Sequence, residues 1–442
     1  MPEIIKRVEN ALAVIDELDP RLHAWVLVDR DGALRAAEEL TAEEQAGTVR
    51  GPLHGMPVGI KDIVDVRGMP ARAGSTLTDD TPVDRDAPVV AALRKAGAVI
   101  LGKTVTVEFA CFDPSPTLNP WSKNLNHTPG GSSSGSAAAV ATGMCEAAIG
   151  TQTGGSLVRP SSYCGIATCK PTFARVDRDG VFPVSHEFDH VGPMACTVAQ
   201  LEAMLQCLPV SADYAPPHGA AAKRTARERA EAESQAFGAG HGPRLGLIEP
   251  FFMEVADETV RRITEETLER LREAGATVVS IDCNIDFTAV RPMHRLVMSV
   301  EAAAIHRQRF AQHREGYGPL ITGLLDEGLQ TPGVDFAEAL ERLRAYRRAA
   351  EKLLDGVDAL IVPSTHTTAP PTLTTTGTPD FQAPWSCAGL PVVSMPCGLS
   401  EEGMPAAVQL VGPYHQDRRL LSIARWCETA IGFSHRPCIM DS

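Results

Sequence analysis

Two short segments rich in serine and glycine hold the residues of this sequence that are best suited to acyl-transfer chemistry. The first reads TPGGSSSGSAAAVATG at residues 128–143, where a Gly/Ser turn leads directly into an alanine-rich stretch that predicts a helix. Free backbone N–H groups and hydroxyls at a helix N-terminus bind anions and oxyanions. Residues 131–135 match the pattern GxSxG with Ser133 at the centre, which is a weak indication of an α/β-hydrolase nucleophile. A flexible linker is the alternative interpretation, although a linker would not lead straight into a helix.

The second segment, GTQTGGSLVRP at residues 150–160, has the composition of an oxyanion hole. Its TGGS sequence can aim consecutive backbone N–H groups at one point, because glycine tolerates the backbone angles that such a turn requires. Losing one donor of this kind typically slows a reaction about a hundredfold to a thousandfold. An ordinary tight turn with a capping serine is the alternative, and this segment alone does not distinguish the two.

A literal zinc-protease pattern, HExxH, occurs as HEFDH at residues 186–190. Zinc binding by this pattern needs both histidines one turn apart on a single helix face. Pro183 precedes the segment and Gly192 with Pro193 follows it, so no helix of useful length fits between them. We therefore expect a turn here and no metal site.

The elements that must position these segments alternate between helices and short buried strands. Apolar periodicity predicts helices at residues 3–18, 33–46, 88–96, 136–143, 257–274 and 420–431. Short apolar runs predict strands at residues 58–66, 98–101, 147–150, 358–363 and 391–396, with two more in the sequences HAWVLVD and TVVSI. This alternation predicts an α/β protein with a mostly buried central sheet.

The composition limits the classes of function. The chain has 442 residues, of which 44% are hydrophobic, enough for a large buried core. Its 55 acidic and 41 basic residues give a formal net charge of −14, which disfavours binding to nucleic acids or anionic lipids. No apolar run reaches the roughly 18 to 20 residues that span a bilayer, and no signal peptide is visible. The eleven cysteines include no CxxC pair, so we expect reduced thiols and a cytoplasmic protein.

The order of these segments resembles the amidase signature family. The motifs that carry the resemblance are GMPVGIKD at 55–62, GGSSSGS at 130–136, GGSLVRP at 154–160, YCGIATCKPT at 163–172, DGVFPVSHEFDHVGPMA at 179–195 and GLPVVSMPCGLSEEGMPAAVQLVG at 389–412. The resemblance extends over residues 2–428, and the combined match is far more specific than any one motif. It places HEFDH in a structural segment, which argues further against zinc.

The resemblance implies a role for the residue at each matching position. Ser156 would be the nucleophile, Ser132 a bridging serine preceded by a cis peptide bond, and Lys61 the general base. Ser132 and Ser156 are 24 residues apart, which is the family's spacing. Ser133 and Thr151 would support the hydrogen-bond network. The N–H groups of the oxyanion hole would come from Thr153, Gly154, Gly155 and Ser156.

Lys61 can act as the general base only if its surroundings lower its pKa. A free lysine has a pKa of about 10.4 and is almost wholly protonated at pH 7. Serving as a base requires the pKa to drop by roughly three units, which corresponds to about 4 kcal/mol of bias against the charge. Burial can supply a shift of this size, and the residues that flank Lys61 are apolar. A solvated lysine at a strand end is the alternative.

The sequence departs from the family pattern in two places. Most members carry Asp where Gln152 stands and an arginine two residues after the nucleophile, whereas Arg159 follows Ser156 by three residues. An arginine without its usual acid could hold a substrate carboxylate, as the resemblance to malonamidase-like members implies. We expect Gln152 and Gly131 to contact the substrate as well. The alternative is that Arg159 pairs with a buried acid and only stabilises the fold. The second departure is Ser386 with Cys387, where the family often has Asn.

The resemblance implies one α/β/α domain over residues 1–442, with a large mixed central sheet covered by helices on both faces. Residues 1–50 are expected to form a helical layer, and residues 211–243, rich in Ala, Gly, Arg and Glu, a surface excursion. The implied activity needs no metal or organic cofactor. It is hydrolysis of the C–N bond of a small carboxamide, one that bears a carboxylate or second carbonyl near the scissile amide, through an acyl-enzyme.

Two other functions remain open at this point. One is an ammonia-releasing subunit of an amidotransferase complex, and the other is a binding protein with an inactive site. The expected partners are a small-molecule amide and a second copy of the chain in a homodimer, without nucleic acid or membrane.

Overall fold

Eleven strands form one mixed β-sheet at the centre of the protein. The structure is a computed structural model that describes residues 2–212 and 242–441. In chain order the strands are β1 (Trp25–Val28), β2 (Pro57–Lys61), β3 (Val99–Thr104), β4 (Ala147–Gln152), β5 (Ala167–Lys170), β6 (His190–Ala195), β7 (Arg244–Leu247), β8 (Thr277–Ser280), β9 (Ala359–Pro363), β10 (Val392–Leu399) and β11 (Pro405–Val411). They lie across the sheet in the order β1-β3-β2-β4-β6-β5-β10-β11-β9-β7-β8.

The sheet combines parallel and antiparallel pairs, as expected. Strand β2 is parallel to its neighbours β3 and β4. Strand β7 is likewise parallel to β8 and β9. The other neighbouring pairs are antiparallel. Because β2 and β4 are parallel, their carboxyl ends meet at the same edge of the sheet, which is where β2 ends at Lys61 and the segment 150–160 leaves β4.

Thirteen α-helices surround the sheet in the described part of the chain. They are α1 (Glu3–Leu22), α2 (Arg30–Gln45), α3 (Pro88–Lys95), α4 (Ser134–Ala141), α5 (Val158–Tyr163), α6 (Val198–Leu205), α7 (Phe252–Val255), α8 (Glu258–Glu273), α9 (Val290–His313), α10 (Pro319–Gln330), α11 (Gly333–Lys352), α12 (Ala383–Ala388) and α13 (Asp417–Ile431).

Both faces of the sheet are covered by apolar side chains. On β3, Val99 and Leu101 belong to the hydrophobic cluster that contains the buried residues of α1, α2 and α4, whereas Ile100 belongs to a second, larger cluster. Alternate residues of a strand point to opposite faces, so this division shows that the sheet separates the two clusters. The expected single α/β domain, with helices on both faces of a mixed sheet, is confirmed.

Helix α8 shows how the apolar pattern and the end residues define an element. Val260, Ile263, Leu268 and Leu271 are its large buried residues, at the spacing that the sequence indicates for one face. Asp257 caps the first turn by accepting a hydrogen bond from the N–H of Val260 at 2.7 Å. Gly275 follows the helix with a φ of +107°, a conformation in which other residues are strained. The prediction of a helix over 257–274 is confirmed to within one residue at each end.

The strand predicted over 58–66 is too long, because β2 ends at Lys61. The chain turns there, and the N–H of Val64 donates to the carbonyl oxygen of Lys61 at 3.0 Å. HEFDH begins with the expected turn at residues 186–188, and its last residue, His190, is the first residue of β6. Most of the expected surface excursion, residues 213–241, lies outside the described residues. Among the described residues, no helix combines the length and apolar character that crossing a bilayer would need.

Candidate active site

Lys61 is the last residue of β2, and its side chain is fully buried. Ile60 of β2 lies opposite Ile149 of β4, so the parallel register brings Thr151 beside the end of β2. Lys61 Nζ lies 2.7 Å from Thr151 Oγ1 and 2.7 Å from Ser132 Oγ. The amine therefore contacts two hydroxyls while it is shielded from solvent.

Burial lowers the pKa of Lys61 to about 7, because the ammonium form would lose its hydration. The negative charge of Asp189 acts in the opposite direction and offsets only part of this effect. A large share of the amine is therefore neutral at pH 7, which is the form that can accept a proton from a hydroxyl.

Ser132 and Ser133 lie in the turn that precedes α4, and the peptide bond between Gly131 and Ser132 is cis. Ser133, the central residue of the GxSxG pattern, is fully buried. Its Oγ donates to the carbonyl oxygen of Thr151 at 3.2 Å and accepts from the N–H of Thr151 at 3.3 Å. Ser133 therefore connects this turn to β4 and is not presented to a substrate, whereas Ser132 faces Lys61.

Gln152 shapes the turn between β4 and α5. Its Oε1 accepts hydrogen bonds from the N–H groups of Leu157 at 2.9 Å and Val158 at 3.0 Å. Its Nε2 donates to Ser386 Oγ at 3.0 Å. Ser156, between Gln152 and α5, lies on the wall of a cavity of about 270 Å³ that Ser132 also lines.

Thr153 is held from two sides. Its Oγ1 donates to Asp189 Oδ1 at 2.6 Å, and its carbonyl oxygen lies 3.1 Å from His294 Nε2. Asp189 also accepts the backbone N–H groups of Val184 and Ser185 at 2.8 and 3.0 Å. Sequence reasoning missed both Asp189 and His294. Asp189 was visible only as the fourth residue of HEFDH, and His294 had no motif around it.

Arg159 of α5 is buried and lines the same cavity as Ser132 and Ser156. Its Nη2 donates to the carbonyl oxygen of Gly131 at 2.8 Å and to Thr376 Oγ1 at 3.2 Å. Its Nε has no hydrogen-bond partner in the described part of the chain, and Arg159 forms no salt bridge with a described residue. Desolvation lowers the pKa of this guanidinium to about 10, so it stays charged at neutral pH.

The rest of the cavity wall combines apolar side chains with two further arginines. Phe112, Met298 and Leu320 contribute apolar surface. Arg291 and Arg295 also line the cavity, and each is engaged by an acid, Asp380 at 2.9 Å and Glu327 at 2.7 Å. Arg159 therefore differs from the other two arginines of the cavity, because only its charge is left without an acidic partner among the described residues.

Two of the residues expected to contact the substrate are not among the residues that line this cavity. Gln152 is buried, does not line the cavity, and uses its amide to hold the turn before α5. Gly131 contributes its carbonyl oxygen to Arg159 and is not on the cavity wall either. A Cβ atom at residue 131 would lie 2.8 Å from Thr376 Cγ2, so the close approach of this side chain favours glycine here.

The described residues contain no group of three or more His, Cys, Asp or Glu side chains placed to hold a metal ion. Of the two histidines of HEFDH, His186 is exposed and His190 is buried on β6. His190 Nε2 lies 3.1 Å from the amine of Lys170 instead.

Comparison with known proteins gives consistent matches over almost the whole chain. A family model named Amidase matches residues 6–421. A glutamyl-tRNA(Gln) amidotransferase subunit from Chloroflexus aggregans is 32% identical over 95% of this chain and 91% of its own length. Among solved structures, the peptide amidase of Stenotrophomonas maltophilia is 29% identical, with a TM-score of 0.81 over 98% of this chain and 95% of that chain.

A further solved structure belongs to a vestigial protein complex that bears on the origin of an s-triazine catabolic enzyme. Its chain is 28% identical to this one, with a TM-score of 0.86 over 98% of this chain and 96% of that chain.

The expectation that a small-molecule amide and a second copy of the chain are the only partners is wrong. The Chloroflexus relative is named as one subunit of a glutamyl-tRNA(Gln) amidotransferase, which implies protein partners. The same name recurs in a relative from Nostoc punctiforme at 30% identity. The sequence left an amidotransferase subunit open as an alternative function, but a protein interface has no short motif comparable to that of an active site, so the sequence did not favour it.

The resemblance drawn from the motifs is confirmed by the family match, by curated relatives that cover over nine-tenths of the chain, and by amidase structures with the same fold. The chain belongs to the amidase signature family and is a serine hydrolase that acts on carbon–nitrogen bonds.

Proposed function

We propose that this chain releases ammonia from a small primary carboxamide that bears a carboxylate, and that it does so together with at least one protein partner. The observation that carries the chemistry is the contact of 2.7 Å between the buried Lys61 amine and Ser132 Oγ. The observation that carries the substrate class is Arg159, a buried guanidinium on the wall of the cavity with no acidic partner among the described residues.

In the first half of the reaction, the neutral Lys61 amine accepts the proton of Ser132, and Ser132 accepts the proton of Ser156. Ser156 Oγ attacks the carboxamide carbon, and backbone N–H groups of the turn 153–156 stabilise the oxyanion that forms. The proton returns through Ser132 to the amide nitrogen, the C–N bond breaks, and ammonia leaves. Ser156 then carries the acyl group as an ester.

In the second half, water attacks the ester carbonyl while Lys61 and Ser132 again accept and return a proton. The ester bond breaks, the product carboxylic acid leaves, and Ser156 recovers its hydroxyl. No histidine is needed, because a lysine with a pKa near 7 supplies a base of comparable strength.

Two substrate types match this cavity. Glutamine and asparagine combine a primary carboxamide with a carboxylate, and an amidotransferase needs such an ammonia donor. The relatives named as amidotransferase subunits favour this type. Short acidic amides such as malonamate also combine the two groups, and the cavity of about 270 Å³ is at the small end of ligand sites. A planar second carbonyl, as in biuret-like amides, could take the place of the carboxylate.

A protein partner is supported by the names of the relatives and by the solved complex of the similar chain. In an amidotransferase, the ammonia released at one site must reach a second site without equilibrating with the solvent. The amide-cleaving chain is then one component of a larger assembly, and its own chemistry is unchanged.

The test combines a substrate panel with isolation of the chain from its native cells. Ammonia release should be fastest with glutamine or with a short acidic amide, slower with neutral aliphatic and aryl amides of the same length, and absent in Ser156→Ala. A stoichiometric partner should copurify and should raise the rate of ammonia release or couple it to an acceptor. Faster cleavage of neutral than of acidic amides would contradict the substrate class. Retained activity in Ser156→Ala would contradict the proposed chemistry.

A further inference from the structure

Two consecutive carbonyl oxygens in the turn that carries Ser156 are each held by a side chain from a distant element. The carbonyl oxygen of Thr153 lies 3.1 Å from Nε2 of His294, which belongs to α9. The carbonyl oxygen of Gly154 accepts a hydrogen bond from Ser386 Oγ of α12 at 2.9 Å. These contacts span 141 and 232 residues of sequence.

A peptide group is planar, and in the trans form its carbonyl and its N–H point in opposite directions. Fixing the carbonyl of Thr153 therefore fixes the direction of the N–H of Gly154, and fixing the carbonyl of Gly154 fixes the N–H of Gly155. Glycine gives a peptide group more rotational freedom than any other residue, so these groups need an external restraint. They are also the N–H groups expected to face the oxyanion.

Ser386 can hold the carbonyl of Gly154 because its own hydroxyl is oriented. A hydroxyl has one proton to donate and can accept in other directions. Gln152 Nε2 donates to Ser386 Oγ at 3.0 Å, so the single proton of Ser386 is left for the carbonyl of Gly154. Gln152 is itself fixed, since its Oε1 accepts two backbone N–H groups at the start of α5.

The ring of His294 is held in place by stacking, and its contact with a carbonyl oxygen requires a hydrogen on the ring nitrogen. Its ring stacks on Phe188 with 4.6 Å between the centroids and 22° between the planes. A carbonyl oxygen has no proton, so Nε2 of His294 must carry the hydrogen of this contact. Burial lowers the pKa of His294 to about 4, so the ring is neutral at the pH of ordinary assays and needs only the tautomer with hydrogen on Nε2.

We propose that Ser386 and His294 are positioning residues of the oxyanion hole, which aim the N–H groups of Gly155 and Gly154 at the developing oxyanion. This inference rests on the proposed function, because it assumes that Ser156 forms a tetrahedral intermediate. Neither side chain needs to touch the reacting atoms for this role. Their contribution is made in the transition state, where the charge on the substrate oxygen is largest.

The variants Ser386→Ala and His294→Leu remove one restraint each. Each should lower kcat by about 10- to 100-fold, below the loss of a whole oxyanion donor, and should leave KM within about twofold. An alkylboronic acid that forms a tetrahedral adduct with Ser156 should lose affinity by the same factor as kcat/KM. A carboxylate product analogue, which forms no adduct, should bind as in the parent protein.

The chain offers a matched control for each variant. His306 lies on the same helix as His294, is buried, and has its ring Nδ1 2.9 Å from the hydroxyl of Tyr317. Ser394 is buried on β10 and shares a hydrogen bond of 2.8 Å with Ser364. His306→Leu and Ser394→Ala remove comparable buried hydrogen bonds away from the catalytic turn. They should lower thermal stability by similar amounts and leave kcat within about twofold.

A rescue variant separates the loss of a hydrogen-bond donor from a failure to fold. His294→Gln keeps a side-chain N–H donor and should recover part of the kcat that His294→Leu loses, and it replaces that variant if Leu prevents folding. The inference is overturned if both variants keep the parent kcat, or if the boronic acid binds them unchanged while kcat falls. It is also overturned if the control variants lose as much kcat. If the parent protein cleaves no amide and does not react with a fluorophosphonate probe, the proposed function fails as well.

Discussion

Gln152 donates a hydrogen bond from its side-chain amide to the hydroxyl of Ser386 at 3.0 Å, although 234 residues separate them in sequence. Both residues are fully or almost fully buried. The pair connects the turn that carries Ser156 to α12 without using a charged group. No acidic side chain among the described residues forms a salt bridge with Arg159, so its charge remains available to the cavity.

The direction of the hydrogen bonds predicts the effect of Gln152→Glu. A glutamate side chain can only accept hydrogen bonds when it is ionised, so the single proton of Ser386 would turn towards it. The carbonyl of Gly154 would then lose its donor, and we expect kcat to fall about tenfold with little change in KM. Steady-state kinetics on the best amide substrate measure this effect.

A double mutant provides the control for this prediction. If both changes act through the carbonyl of Gly154, adding Gln152→Glu to Ser386→Ala should cause no further loss of kcat. Fully additive losses would mean that the two residues act on catalysis independently.

Replacing Lys61 by Met should abolish most of the activity. The methionine keeps the length and apolar packing of the side chain but cannot accept a proton from Ser132. General-base catalysis typically contributes about a hundredfold to ten-thousandfold, so we expect kcat to fall by a factor in this range or more. Ammonia release at pH 8, where most of the parent amine is neutral, measures the loss.

Lys170 offers a matched control for Lys61. Its side chain is also fully buried, and burial also lowers its pKa to about 7. Its Nζ contacts the carbonyl oxygen of Leu390 at 2.6 Å and His190 at 3.1 Å, away from the serine hydroxyls. We expect Lys170→Met to keep kcat within a few-fold of the parent. An equal loss in both variants would show that a buried lysine matters here for folding and not as the base.

The rate should rise with pH through the pKa of Lys61. Only the neutral amine can accept the proton of Ser132, and burial places the pKa at about 7. We therefore expect kcat/KM to increase about tenfold per unit below pH 6, to bend near pH 7 and to level off above pH 8. Initial rates of ammonia release between pH 5 and 9 measure the profile. A rate that does not change between pH 5 and 8 would exclude a titrating base in this range.

The sequence predicts the parts of this structure that depend on local patterns. Helix α8 has apolar residues at helical spacing, Asp257 before it and Gly275 after it, and its ends agree with the prediction to within one residue. The apolar run after Pro57 predicts a strand over 58–66 with Lys61 in its interior, whereas β2 ends at Lys61. A run of apolar residues does not reveal the turn at Val64, where the backbone bonds to itself.

The contacts that join distant segments could not be predicted. Gln152 and Ser386 were visible as separate departures from the family pattern, but nothing in the sequence indicates that they touch. The carboxylate of Asp189 was part of a pattern that resembles a zinc site, and its bond to Thr153 depends on how β6 lies beside β4. His294 lies within a long helix of ordinary composition. Its role depends on the packing of α9 against the catalytic turn, which the sequence of the helix does not specify.

Arg159→Ala should weaken the binding of acidic amides selectively. A hydrogen bond to a charged group contributes about 1.5 to 3 kcal/mol, so KM for an acidic amide should rise about 10- to 100-fold. KM for a neutral amide of the same length should change less than about threefold. Arg291→Ala is the control, because Arg291 lines the same cavity but is paired with Asp380 at 2.9 Å. Equal increases of KM for acidic and neutral amides would mean that Arg159 supports the fold of the cavity.

The low pKa of Lys61 also predicts how the stability of the protein depends on pH. The unfolded chain has a lysine pKa of about 10.4, whereas burial lowers the folded value to about 7. Between these values the unfolded chain binds one more proton than the folded protein at this residue. The free energy of unfolding therefore rises with pH in this window, by about 1.4 kcal/mol per pH unit for one such lysine. Below pH 7 Lys61 is protonated in both the folded and the unfolded protein. The free energy of unfolding is then lowered by the full cost of burying the charge.

Lys61→Met removes this pH-dependent cost. The variant should become more stable than the parent as the pH falls from 10 to 7, and the difference should stay constant below about pH 6. Urea denaturation of both proteins at several pH values measures it. Lys170→Met should show the same trend, since its pKa is lowered to a similar value. The two variants should thus agree in the pH dependence of stability and differ in activity. A stability difference that is independent of pH would mean that Lys61 remains protonated in the folded protein, and a protonated lysine could not serve as the base.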